Sequence, residues 1–201
     1  MLTAFLHGFL LAFGLILPLG VQNVFVFNQG AAQRRWVRGL PVVLTAALCD
    51  TLLISAAVLG VSVVVLQVGW MQKLLTWGGV AFLLYMGWMT WKSVPGDNPD
   101  EEAESWPAKR QILFAMSVSL LNPHAILDTI GVIGTSSLGY AGAEKFLFAL
   151  ACIVVSWLWF LGLMTAGHLL GSLQGAQRWR VLLNRVSAVI MWMSAVYLVL
   201  Q

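Results

Sequence analysis

The chain has 201 residues, of which 60% are hydrophobic and 9% are charged, and its formal net charge is +3. A soluble domain carries roughly 25% charged residues, so this composition argues against a water-soluble globule and favours a protein that lies in a lipid bilayer. The basic residues form no patch with interleaved aromatic residues, and we therefore expect no nucleic-acid partner.

The apolar residues are grouped into segments that are long enough to cross a membrane. A transmembrane helix needs about 20 mostly apolar residues. Six segments meet this requirement, at about residues 3–28, 39–66, 70–91, 110–137, 145–170 and 179–200. Unpaired backbone groups are costly in lipid, and the sequence has no alternating barrel pattern. It therefore predicts an all-α integral membrane protein with six transmembrane helices. Residues 1–12 lack the basic region of a signal peptide, so we expect them to belong to the first helix.

The basic residues are divided unevenly between the two sides of the six predicted helices. One side has nine of the eleven Lys and Arg residues, within residues 34–38, 92–110 and 178–185, and the other side has only Lys73 and Lys145. The positive-inside rule then places the nine basic residues in the cytoplasm and both termini outside.

The spacing of polar residues suggests that the first three helices are repeated as the last three. Pro18 and Pro123 fall at similar points of the first and fourth segments. Asp50 follows the first proline by 32 residues, and Ser156 follows the second by 33. Because three helices per repeat is an odd number, the two repeats would insert with opposite orientations, as in many secondary transporters. A chance match of two prolines is the alternative.

The chain is expected to form a single transmembrane domain over residues 1–201. One repeat covers about 1–92 and the other about 110–201. The connection between them, about 93–109, contains five of the eight acidic residues. Such a run of charge is typical of a solvated loop, which the basic residues around it place in the cytoplasm.

The fourth segment contains polar and helix-breaking residues at a depth where they are expensive. Proline cannot continue a helix without losing a hydrogen bond, but it suits the first helical position, and asparagine suits the cap before it. Asn122-Pro123 therefore predicts a half-helix that starts inside the bilayer. Its free N–H groups and positive dipole end would attract an anion, such as the carboxylate of an amino acid.

The first segment is expected to open in the same way. Pro18 and Gly20 interrupt it, and Gln22 and Asn23 offer amide contacts just after the break. A plain proline kink without a ligand is the alternative for both breaks, since prolines are tolerated in membrane helices.

Two carboxylates lie within the apolar segments, Asp50 in the second and Asp128 in the fourth. A carboxylate at this depth costs on the order of 3 kcal/mol on insertion scales. Because no Lys or Arg lies within the apolar segments, we expect a substrate cation or a proton to be the partner. Asp128 lies four residues after His124, on the same helical face. His124 is expected to relay a proton or to hydrogen-bond Asp128, and a purely structural His–Asp pair remains an alternative.

The remaining candidate residues are expected to be packing residues. Cys49 and Cys152 form neither a CxxC pair nor a zinc spacing. Trp157 and Trp159 lie deep in the fifth segment, away from the interfacial belt. We therefore expect no cofactor and no resident metal.

Several motifs together carry a resemblance to a known family. They lie at residues 17–30, 49–50, 76–84, 121–129 and 156–160. On these motifs the chain resembles the lysine exporter (LysE) family of amino-acid exporters, most closely its arginine-exporter branch. The family usually has proline where this chain has Val21, so we expect a less broken first helix here. Other members often have lysine where this chain has His124, and the arginine branch is similar to this chain at that position.

The resemblance implies a multi-pass protein of the bacterial inner membrane, and the positive-inside rule then places both termini in the periplasm. It implies export of amino acids from the cytoplasm, driven by the proton or membrane potential, and no enzymatic activity. The expected partners are an amino-acid substrate and the bilayer, with a homo-oligomer left open. The candidate substrate-binding residues are Pro18, Gly20, Gln22, Asn23, Asp50, Asn122, Pro123, His124 and Asp128.

The two intramembrane carboxylates favour a basic substrate, arginine before lysine. Export of neutral amino acids is one alternative. Export of a divalent cation is another, because Asp50, His124 and Asp128 offer oxygen and nitrogen ligands. A membrane hydrolase or a thiol-redox carrier is disfavoured, because the sequence has no GxS-type motif and does not require its cysteines to meet.

Overall fold

Every element that the structure describes is a helix. The structure is a computed structural model, and it describes residues 1–17, 20–60, 106–120, 126 and 129–171, together with helical residues at 77–78, 80–81, 84–85, 87–88, 91–92, 185–186, 188–189, 192–193 and 195–196. The described chain contains no strand, which confirms the predicted all-α class.

The helices follow the predicted apolar segments. Helix α1 covers Leu2–Ile16 and α2 covers Val21–Ala32. A 3-10 turn, Trp36–Gly39, leads into α3, Leu40–Val58. Helix α4 covers Ala108–Leu120, a π-helical segment covers Thr129–Gly134 and continues into a short α-helical turn, Thr135–Ser137, and α5 covers Gly142–Gly171.

Two of the described helices are long and apolar enough to cross a membrane by themselves. They are Trp36–Val58, which includes the 3-10 turn, and α5. Helices α1 and α2 meet at 77° across a short break and count as a third span if they are taken together. These spans make the chain a membrane protein. The six spans and the inverted repeat stay a prediction, because much of the third and sixth predicted segments lies outside the described residues.

The first predicted helix is interrupted where the sequence places the break. Helix α1 ends at Ile16, and α2 begins at Val21 after Gly20, whose backbone is extended (φ −75°, ψ 174°). The Asn23 side chain donates through Nδ2 to the Ile16 carbonyl oxygen at 2.7 Å. This bond satisfies one of the carbonyl groups that the end of a helix leaves free. Val21, where the family usually has proline, therefore does not prevent the break.

Helix α5 packs against α1 along its first half and against α2 along its second half. Helix α3 packs against α5 and contributes residues to both of these regions. The close approach of α2 and α5 depends on small residues. A Cβ atom at Gly167 would collide with the carbonyl oxygen of Phe27, and one at Gly30 would collide with the carbonyl oxygen of Met164. Small residues at such crossings allow helix backbones to approach closely.

Two apolar clusters lie one above the other along the bundle. The first contains Phe25, Val26, Val42, Val43, Ala46, Ala47, Ala115, Phe160 and Met164. The second contains Ala4, Ala12, Ile54, Val58, Ile133, Phe148, Cys152 and Val155. Helices α3 and α5 contribute to both clusters in opposite order, so they run antiparallel. The layer between the clusters lies near the middle of both helices.

The two ends of the bundle are each joined by polar contacts. At one end Gln111 donates through Nε2 to the carbonyl oxygens of Arg38 (3.2 Å) and Trp106 (2.7 Å), and Gln33 donates to the same Trp106 oxygen at 3.3 Å. At the other end the Met1 amino group lies 2.6 Å from Glu144 Oε1. Arg38 and the start of α4, which carries Lys109 and Arg110, therefore share one end of the bundle, whereas which end faces the cytoplasm stays a prediction.

Candidate functional site

Asp50 lies in the layer between the two apolar clusters, near the middle of α3. Its side chain is half-buried. Gln22 donates through Nε2 to Asp50 Oδ1 at 3.1 Å, and Ser156 donates through Oγ to Asp50 Oδ2 at 3.0 Å. The carboxylate therefore joins α2, α3 and α5, and both of its oxygens accept from neutral groups.

No basic side chain among the described residues forms an ion pair with Asp50. A carboxylate has about four lone-pair sites on its two oxygens, so two neutral donors do not saturate it. Hydrogen bonds to a charged acceptor are stronger than bonds between neutral groups, which helps to retain the charge at this depth. The two bonds therefore leave acceptor capacity on the carboxylate for a cationic group.

Gln22 and Asn23 reach this layer because α2 starts beside it. Both side chains are buried, at 9% and 5% exposure. Gly20 caps α2 without a side-chain hydrogen bond, and its carbonyl oxygen accepts from Val24 N at 3.1 Å. The first N–H groups of α2 therefore have no side-chain cap from Gly20, and the positive end of the helix dipole lies close to the Asp50 layer. An open helix N-terminus suits a carboxylate group.

Five of the nine predicted site residues lie outside the described residues: Pro18, Asn122, Pro123, His124 and Asp128. The structure brings Gln22 and Asp50 into contact and places Gly20 and Asn23 one turn or less from Gln22. Helix α4, which ends at Leu120, and the π-helical segment that begins at Thr129 both pack against α3. Both flanks of the fourth segment's polar stretch therefore contact the helix that carries Asp50.

Sequence reasoning missed three residues of this layer. Ser156 entered as the repeat counterpart of Asp50 and as part of the motif at residues 156–160, Thr51 was not singled out, and Trp157 was predicted to be a packing residue. In the structure Trp157 donates through Nε1 to Thr51 Oγ1 at 3.1 Å, beside the Ser156–Asp50 bond. The matched spacing of Asp50 and Ser156 from the two prolines was the signal that could have identified Ser156.

The cysteines are free and buried. Cys152 donates through Sγ to the Gly8 carbonyl oxygen at 3.4 Å. Within the described part of the chain, no group of three His, Cys, Asp or Glu side chains is placed to hold a metal ion. The cation-export alternative needs His124 and Asp128, which lie outside that part.

Comparison with known proteins gives the family. The family model described as "LysE type translocator" matches residues 13–201. YisU of Bacillus subtilis (strain 168), provisionally described as an amino-acid transporter, is 54% identical over 196 residues, which cover 98% of this chain and 89% of YisU. The arginine exporter protein ArgO of Salmonella typhimurium is 39% identical over 199 residues, which cover 97% of this chain and 92% of ArgO. No solved structure matches the chain. The chain therefore belongs to the LysE family of translocators, as its motifs predict.

Proposed function

We propose that the protein is a secondary-active exporter of basic L-amino acids, arginine first and lysine second. It would carry them from the cytoplasm across the bacterial inner membrane, as a transporter and not as an enzyme. The observation that carries the proposal is the Asp50 carboxylate, which among the described residues accepts only from the neutral donors Gln22 and Ser156, in a layer between two apolar clusters. A carboxylate at this depth is expected to bind a substrate cation or a proton.

The similarity to ArgO supports arginine as the first substrate, since that relative is named as an arginine exporter. The description of YisU as an amino-acid transporter supports amino-acid transport without specifying the amino acid. The divalent-cation alternative receives no support from the described side chains. Export of neutral amino acids remains the competing outcome of the transport test.

In the proposed complex the substrate is held at both of its charged ends. The N-terminus of α2, which begins after Gly20, would take the α-carboxylate, together with the half-helix predicted at Asn122-Pro123. Asp50 and Asp128 would face the α-amino group and the side-chain cation, or carry the coupling proton. His124 would relay that proton or orient Asp128. Pro18 would keep the first helix broken, so that the N–H groups after it stay free.

Alternating access would come from rocking of residues 1–92 against residues 110–201 around this layer. The nine basic residues of one side would face the cytoplasm, and both termini would face the periplasm. The Gln33, Gln111 and Trp106 contacts would then lie at the cytoplasmic end.

The test is counterflow in proteoliposomes with each of the twenty amino acids, at two pH values. We expect uptake of labelled arginine, weaker uptake of lysine, and a pH effect if a proton is coupled. In cells that lack their own exporter, production of the protein should give resistance to canavanine, a toxic arginine analogue. Preferred uptake of a neutral amino acid would refute basic-substrate specificity, and no uptake of any amino acid would refute the function.

A further inference from the structure

Two adjacent side-chain hydrogen bonds join α3 to α5. Ser156 donates to Asp50 at 3.0 Å, and Trp157 donates to Thr51 at 3.1 Å. Each bond joins residues that are 106 positions apart, so consecutive residues of one helix meet consecutive residues of the other. We call these four residues the α3–α5 latch.

The Ser156 hydroxyl differs from other helical hydroxyls in this protein. Serine and threonine within helices commonly donate to the carbonyl oxygen one turn earlier. Thr45, Ser117 and Thr165 all do this, at 2.7 Å, 2.8 Å and 2.7 Å. Ser156 is 4% exposed and instead donates across to the Asp50 carboxylate. Its hydrogen bond therefore orients a functional group and does not only satisfy its own helix.

Thr51 joins the two helices in another way, as an acceptor. Its hydroxyl donates to the Ala47 carbonyl oxygen at 2.7 Å, and the same oxygen accepts from the Trp157 indole. Trp159, two residues along α5, provides a contrast, because its buried indole nitrogen has no hydrogen-bond partner among the described groups. The Trp157–Thr51 hydrogen bond therefore provides a second contact between α3 and α5, directly beside Asp50.

We infer that Ser156 is a positioning residue for the Asp50 carboxylate and that the Trp157–Thr51 bond supports it. With Oδ2 held by Ser156 and Oδ1 held by Gln22, the plane of the carboxylate is fixed. The remaining lone pairs then face a constant direction, where a substrate cation can bind without breaking either bond. This inference rests on the proposed function, because it assigns Ser156 to the same substrate site.

The transport test compares Ser156→Ala, Ser156→Thr and the matched control Ser117→Ala in arginine counterflow. Ser156→Ala removes a hydrogen bond to a charged group. This loss should raise the KM for arginine about 10-fold. The maximal rate should stay close to that of the parent, because the charge of Asp50 is retained. Ser156→Thr keeps the hydroxyl and should restore the KM, and Ser117→Ala should match the parent.

A second pair of variants tests the neighbouring bond. Trp157→Phe removes the indole N–H that reaches Thr51, whereas Trp159→Phe removes one that has no described partner. We expect Trp157→Phe to raise the KM in the same direction as Ser156→Ala, and Trp159→Phe to leave it unchanged. Equal KM values for these two variants would refute the supporting role of Trp157.

A thermal double-mutant cycle on the purified protein tests the contact without any transport. Ser156→Ala should lower the apparent Tm by about 2–4 °C in the parent and by clearly less when Asp50 is alanine. Equal losses in both backgrounds would show that Ser156 does not hold Asp50. A Ser156→Ala variant with parental KM, or with only a reduced maximal rate, would refute the positioning role. If the parent carries no amino acid, the proposed function fails, and the cycle still decides whether Ser156 holds Asp50.

Discussion

Asp50→Asn removes one charge from the candidate site and little else. Asparagine has nearly the shape of aspartate, and its side-chain oxygen can still accept from Gln22 or from Ser156. Its amide nitrogen can donate to the Ser156 hydroxyl, which can also accept, while its oxygen accepts from Gln22 Nε2. We therefore expect the variant to fold, to keep both side-chain contacts and to lose its attraction for a cation.

The expected size of the effect follows from the burial of the site. Two unit charges 4 Å apart attract each other by about 4 kcal/mol at the effective dielectric constant typical of protein sites. Asp50 is half-buried, and the amide oxygen still offers a dipole, so we expect about half of that attraction to be lost. A loss of about 2 kcal/mol corresponds to about 30-fold weaker binding of a cationic substrate.

The assay compares arginine with citrulline, which has nearly the same shape but no positive side-chain charge. In proteoliposome counterflow the parent should prefer arginine strongly, and Asp50→Asn should lose most of this preference by an increase in the KM for arginine. Glu144→Gln is the matched control, because Glu144 is a carboxylate at the end of the bundle, next to the Met1 amino group. It should keep the preference of the parent.

Two results would refute the reasoning. If Asp50→Asn transports arginine with the KM of the parent, the carboxylate does not bind the substrate cation. If its maximal rate falls for arginine and citrulline alike while the preference remains, Asp50 serves proton coupling or helix packing instead.

The other predictions concern the stability of the scaffold around the site. Gly167→Ala should lower the apparent Tm by several degrees, because the added Cβ meets the Phe27 carbonyl oxygen and overpacking costs about 1–3 kcal/mol. Gly162→Ala, where the Cβ meets nothing within 4 Å, should not lower it, and equal losses would contradict the close α2–α5 packing. Asn23→Ala should cost about 1–2 kcal/mol in thermal unfolding, because the Ile16 carbonyl oxygen loses its donor. An unchanged Tm for this variant would show that water replaces the bond.

The membrane-spanning helices and the interruption of the first helix could be predicted from the sequence, because both depend on local properties of the chain. The length of an apolar run determines whether a helix can span a membrane, and Pro18 with Gly20 marks where the first run is interrupted. The predicted limits, 3–28 and 145–170, lie within four residues of the observed limits of α1 with α2 and of α5.

The partners of Asp50 could not be predicted in the same way. Helix α5 is apolar on nearly all sides, so the sequence does not show which face packs on α3. Val155 is buried and Leu158 is 60% exposed, although both are aliphatic. In lipid the hydrophobic effect does not separate the inner face of a helix from the outer face, and the contact between Ser156 and Asp50 depends on long-range packing. The tryptophans show the same limit, since the indole of Trp157 donates to Thr51, whereas that of Trp159 has no partner in the part of the chain that the structure describes.

The contact between Asp50 and Ser156 bears on the predicted inverted repeat. The spacing from the two prolines pairs these residues, 32 and 33 positions along, and the structure places their side chains 3.0 Å apart. In a pair of repeats related by a two-fold axis, equivalent residues touch only near that axis. If the repeat is real, the α3–α5 latch therefore marks the axis, and one half supplies the charge while the other supplies the neutral donor. Rocking of the halves about this axis would move the two ends of the bundle and leave the latch intact. Loss of Ser156 should therefore weaken substrate binding more than it slows the conformational change.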